Sequence, residues 1–148
     1  MWRGHARTML WAAVMTGAIG IVGCGGSAPA SSSGGAASGG PVNVTLSEWS
    51  VKPSATSAKA GSVSFAVTNK GTTPHEFVVV KTDLAGDKLP QGAGIVDEKQ
   101  VTVIGRTASI DAGKSETKAV DLQAGKYVLI CNLPAHYGQG MQIAFTVQ

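Results

Sequence analysis

The chain has 148 residues, 20 of them glycine and only 14% charged, which leaves room for one small turn-rich β domain plus a targeting segment and disfavours a helical protein. Its formal charge is +3, and no run of Lys or Arg occurs anywhere, so nucleic acid is not an expected partner.

Residues 1–23 have the pattern of an export signal. Arg3 and Arg7 give a short basic region, and residues 9–23 form an uncharged stretch that is too short for a comfortable membrane span but suits a secretory signal core. The stretch ends in Ile21-Val22-Gly23-Cys24, which resembles a bacterial lipobox, in which the Cys is acylated and becomes the first residue after cleavage. The alternative is an ordinary signal with Cys24 an incidental thiol. Acylation of Cys24 by two or three chains would anchor the protein stably, where a single chain would not. The expected location is therefore outside the cytoplasm, lipid-anchored to a membrane and facing the periplasm or cell exterior. Loss of Arg3 and Arg7 leaves ten basic residues against nine acidic ones, so the mature chain is nearly neutral.

Residues 24–41 comprise Cys24 and a tether of Gly, Ser, Ala and Pro, too poor in apolar side chains to fold. As a flexible coil it would hold the domain on the order of 20–25 Å from the membrane.

The folded domain is expected over residues 42–148. Val42, Val44 and Leu46 alternate with polar residues, as do Val63, Phe65 and Val67, the period of half-buried strands. Asn69-Lys70-Gly71 supplies turn chemistry before PHEFVVVKT, a strand that His75 is expected to open. Residues 84–100 lose all periodicity and predict a long excursion or a short irregular helix. VTVIG, TASID and TKAVDL then predict short strands, followed by KYVLIC and by MQIAFTVQ, which carries Ile143, Phe145 and Val147 on one face. About seven short strands separated by turn signals predict an all-β sandwich. No internal repeat, phosphate-binding glycine loop or nucleotide fingerprint is present.

The chemistry concentrates in residues 127–141, YVLICNLPAHYGQGM. An apolar run ends on Cys131, with His136 five positions later and Met141 five after that. Once residues 1–23 are removed, the chain retains two histidines, His75 and His136, one Met, Met141, and Cys131 beside the N-terminal Cys24. Every imidazole and soft sulfur donor of the domain thus falls into one set. Two His and a Cys thiolate with a weak axial Met are the ligands of a blue-copper electron-transfer site. Antiparallel pairing of the His75 and Cys131 strands would bring the two residues to one end of the sandwich.

Other readings compete. Each residue alone has a structural role open to it, since free Cys is among the most buried residue types. A Cys24–Cys131 disulfide would suit an oxidising compartment, although lipidation of Cys24 forbids it. Zinc accepts two His and a thiolate, but thioether is a poor zinc ligand.

GKYVLICNLPAHYGQGM, with the upstream His75, resembles the cupredoxin family of plastocyanin and azurin, in the style of small bacterial blue-copper and sulfocyanin-like domains. The resemblance covers residues 42–148. It implies an antiparallel Greek-key β-sandwich binding one copper through His75, Cys131, His136 and Met141. Many cupredoxins place Asn directly after the first ligand His, where its side chain ties the two ligand loops together. This chain has Glu76 there.

The expected function is single-electron transfer by a monomer, with redox proteins docking transiently at an apolar patch around His136. The alternative is a copper-binding module for storage, delivery or resistance. A copper enzyme would require a second metal centre and further histidines, so no enzymatic activity is expected.

Overall fold

The computed structural model describes residues 40–148. The signal peptide expected over residues 1–23, Cys24 and most of the tether over 24–41 lie outside the described residues. β1 (Val42–Ser47) buries Val42, Val44 and Leu46 and turns its alternate positions outward, the period of a strand covered on one face. Glu48 and Trp49 then turn the chain into β2 (Ser50–Pro53), which pairs antiparallel with β1. After β3 (Ser57–Ala58), β4 (Gly61–Asn69) buries Val63, Phe65 and Val67 on one face.

β5 (Val78–Lys81) and β8 (Thr102–Arg106) flank the excursion, which holds a single 3-10 turn at Gly86–Lys88 and a small hairpin of β6 (Gln91–Gly92) and β7 (Ile95–Val96). β9 (Ser115–Leu122), β10 (Gly125–Ile130) and β11 (Gln142–Val147) complete the chain. The segment TASID is not a strand. It carries the chain between the two sheets and contributes one isolated bridge, Ile110 to His75.

Two sheets form the expected sandwich, in the orders β2-β1-β4-β9 and β3-β11-β10-β5-β8. Most pairings are antiparallel, but β1 runs parallel to β4 and β11 parallel to β3. The cause is the connection through β3, which leaves the first sheet after β2 and re-enters it at β4.

The main core lies between the sheets, where Phe65 meets Phe77 at 5.0 Å and Phe145 at 5.6 Å between ring centroids. A second cluster lies on the other face of β5 and β10. There Val78, Val80, Val128 and Ile130 are covered by Leu89 and Val96 of the excursion and by Tyr137. Burial on both faces explains why the sequences of these two strands are continuous apolar runs rather than alternating ones.

Candidate metal centre

Antiparallel pairing places Ile130 of β10 opposite Val78 of β5, so the residues just beyond these two strand ends meet at one pole of the sandwich. The backbone N–H of Glu76 donates to Cys131 Sγ at 3.4 Å, and His75 Nδ1 lies 3.9 Å from the same sulfur. His75 does not open β5, which begins three residues later. It is pinned instead by two backbone bonds with Ile110, at 3.1 and 2.7 Å.

The other donors come from the loop between β10 and β11. Its backbone coils on itself: His136 N–H donates to Leu133 O, Gln139 N–H to Ala135 O and Met141 N–H to His136 O. Cys131 N–H then donates to Met141 O at 3.0 Å, closing the loop at its base. Ala135, at φ 68, takes a left-handed conformation immediately before His136. The result is compact. One ring nitrogen of each His and the Cys131 sulfur all lie within 4.8 Å of one another. Met141 is fully buried, in the same core cluster as Cys131.

Burial disfavours the charged forms of His75 and Cys131. It pushes the His75 pKa down, assisted by His136 nearby and opposed by Glu48. It pushes the Cys131 thiol up, against the backbone amides of Leu133 and Glu76. Those amides bond the sulfur and tune any thiolate formed there. Half-buried Glu76 is pushed up by desolvation, while Arg106 and the Asn132 backbone amide favour its ionised form.

The loop is tied down from outside. Asn132 Oδ1 accepts the Val96 N–H at 2.6 Å, and its Nδ2 donates to Val96 O at 3.2 Å and to Glu98 Oε1 at 2.9 Å. Tyr137 Oη donates to Gly86 O at 2.7 Å and accepts the Leu89 N–H at 3.0 Å. Asn is thus absent after the first histidine, but an Asn directly after the cysteine binds the ligand loop to the excursion. Arg106 pairs with both Glu98 and Glu76 at the edge of this network.

These residues suit a soft metal ion. His75 Nδ1 faces the Cys131 sulfur, Nε2 of His136 is buried without a hydrogen-bond partner, and the donors on offer are imidazole, thiol and thioether. Such a set favours copper over hard cations. The arrangement fits one type 1 copper per domain. Cys24, the expected lipidation site, lies outside the described residues.

A family model described as a cupredoxin-like domain matches residues 15–144. The chain belongs to the cupredoxin family. Among solved structures, dithionite-reduced auracyanin from the photosynthetic bacterium Roseiflexus castenholzii is similar with a TM-score of 0.58 at 22% identity, over 73% of this chain and 96% of that one. Auracyanin A, a "blue" copper protein from the green thermophilic photosynthetic bacterium Chloroflexus aurantiacus, gives 0.51 at 21% identity, over 74% and 100%. Rusticyanin from Thiobacillus ferrooxidans gives 0.53 at 18% identity, over 75% and 79%. At these identities the likeness concerns the fold. No curated protein matches the chain by sequence.

Sequence reasoning missed several residues around the donors. Asn69, fully buried, donates from Nδ2 to Thr73 O and Ile110 O and accepts the Gly71 N–H, which shapes the turn leading to His75. Its place in an Asn-Lys-Gly turn was visible, its packing role was not. Trp49 stands edge-on to His136 at 5.3 Å between ring centroids. Glu48 lies beside His75, and nothing in its local sequence marks it.

Proposed function

We propose that this protein carries single electrons, using one type 1 copper held by His75, Cys131, His136 and Met141. The observation that carries the proposal is the convergence of three donor atoms within 4.8 Å from segments more than fifty residues apart. Copper, when bound, supplies the Cu(I)/Cu(II) couple. The chain supplies a site formed before metal arrives, so that little rearranges as charge changes. Its Cys131 leads directly into β10, and two amides face the sulfur.

The pole around His136 supports transient docking of redox proteins. Pro134 and Ala135 are exposed there, and Trp49 is 46% exposed against the His136 ring. A small apolar patch suits electron-transfer encounters, which bury little area. The protein acts as an exported monomer, anchored by lipid at Cys24 and facing the periplasm or cell exterior. It is no enzyme: the whole sequence has three histidines, of which His5 falls in the expected signal.

The test is the visible spectrum of the full chain titrated with Cu(II), beside Cys131→Ser. An intense thiolate-to-copper band at one equivalent, absent from the variant, is the expected result. A colourless protein that still binds copper would replace electron transfer with copper storage or delivery.

A further inference from the structure

The carboxylate of Glu48 occupies a position its own turn does not require. Glu48 lies in the two-residue connection between β1 and β2, yet its Oε1 reaches across to the loop before His75. There it accepts the backbone N–H of Thr72 at 2.7 Å and of Thr73 at 2.9 Å, and both threonine hydroxyls at 3.1 Å. The same oxygen is 3.7 Å from His75 Nε2. His75 is fully buried, and its Nε2 has no hydrogen-bond partner among the described residues. The opposite ring nitrogen, Nδ1, faces the Cys131 sulfur.

Gly71 provides a separate observation. A Cβ at this position would lie 2.7 Å from Glu48 Oε2 and 2.8 Å from both Glu48 Oε1 and His75 Nε2. The backbone has therefore been kept clear at the point where carboxylate and imidazole converge.

An imidazole that gives one nitrogen to a metal carries its proton on the other, and a ligating His regularly donates that proton to a carboxylate, carbonyl or water. For His75 the acceptor at hand is Glu48, and closing 3.7 Å to hydrogen-bond length requires a shift of about 0.5–1 Å. We propose that Glu48 is a positioning residue of the copper centre: its carboxylate accepts the Nε2 proton of His75 and holds the ring in the tautomer that leaves Nδ1 free for the metal. The assignment rests on the copper site described above. It explains why a charged side chain is turned inward at the pole, and why the turn before His75 contains two threonines and a glycine.

The experiment uses the full chain loaded with Cu(I), which is diamagnetic, and locates the His75 proton by long-range nitrogen–proton NMR. Zn(II) affinity is measured alongside by chelator competition. Expected in the native chain is a slowly exchanging proton on Nε2. Glu48→Gln keeps an amide oxygen for the threonine bonds but removes the charge, and should speed that exchange and weaken Zn(II) binding about tenfold. Gly71→Ala, whose Cβ would crowd both the carboxylate and His75 Nε2, should do the same. Thr73→Val retains the Thr73 amide bond and should stay within about twofold of native.

A proton on Nδ1 would overturn the proposal. So would an unchanged exchange rate and affinity in both Glu48→Gln and Gly71→Ala, or an equal loss in Thr73→Val, which would make loop anchoring the cause. If Glu48→Gln does not fold, the proton's position in the native chain decides. A native chain that takes up no copper would instead defeat the copper reading itself.

Discussion

Asn132, the residue after Cys131, holds Val96 by both of its backbone groups, although the two are 36 positions apart. This pair joins the ligand loop to the excursion through buried polar contacts. Asn132→Ala would leave the Val96 N–H buried without an acceptor, which costs about 1–3 kcal/mol. Urea denaturation should show that loss, while the copper band persists with a changed reduction potential. An unchanged midpoint would mean the excursion holds its place through Leu89 and Tyr137 alone.

The grouping of His75, Cys131 and His136 was legible in the sequence because such residues are so scarce. A chain with one expected mature Met and two His leaves few ways to build a soft-metal site, and Cys131, His136 and Met141 sit at the end of an apolar run. Strand order was less legible. The parallel pairing of β1 with β4 depends on a two-residue strand, Ser57–Ala58, whose sequence carries no periodicity. Residues 84–100 also resisted reading, because Leu89 and Val96, which cover the second face of β5 and β10, belong to no periodic apolar pattern. The sign of that cover lay in the strands themselves, where Phe77 to Val80 and Tyr127 to Ile130 do not alternate. Glu48 was invisible because its partners, Thr72, Thr73 and His75, come from a loop more than twenty residues away.

Phe65 is fully buried between Phe77 and Phe145. Phe65→Ala should destabilise the domain by about 3–5 kcal/mol, as large core truncations do. A loss below about 1 kcal/mol in equilibrium unfolding would show that neighbouring side chains collapse into the space.

Asp97 has its carboxyl held below the ordinary carboxylate range, chiefly by the Gln100 side chain and then by the Lys99 amide. A lowered folded pKa means that the stabilisation is present above the unfolded value and is lost as pH falls through the folded one. These bonds should therefore persist at pH 5 and weaken only below the usual Asp range of about 3.9. Gln100→Ala should move the Asp97 titration upward, followed by carbon NMR of the carboxyl. No movement would leave the Lys99 amide as the principal partner.

Gly94 combines two restrictions. It has φ +74, where residues with a side chain are strained, and a Cβ there would approach Ala135 Cα to 2.8 Å. Its carbonyl accepts the Gly138 N–H at 3.2 Å, so the β6–β7 hairpin lies directly on the backbone that presents His136. Gly94→Ala would impose a left-handed penalty of about 1–2 kcal/mol and push the hairpin away from Ala135. The expected result is a lower unfolding midpoint together with a shifted copper band, because the displaced segment adjoins a donor. Gly113 provides the control: it has the same φ, +74, and open space around its Cβ position. Gly113→Ala should cost the same backbone strain and leave the band where it was. Equal spectra in the two variants would mean that the hairpin's contact with Ala135 does not set the position of His136.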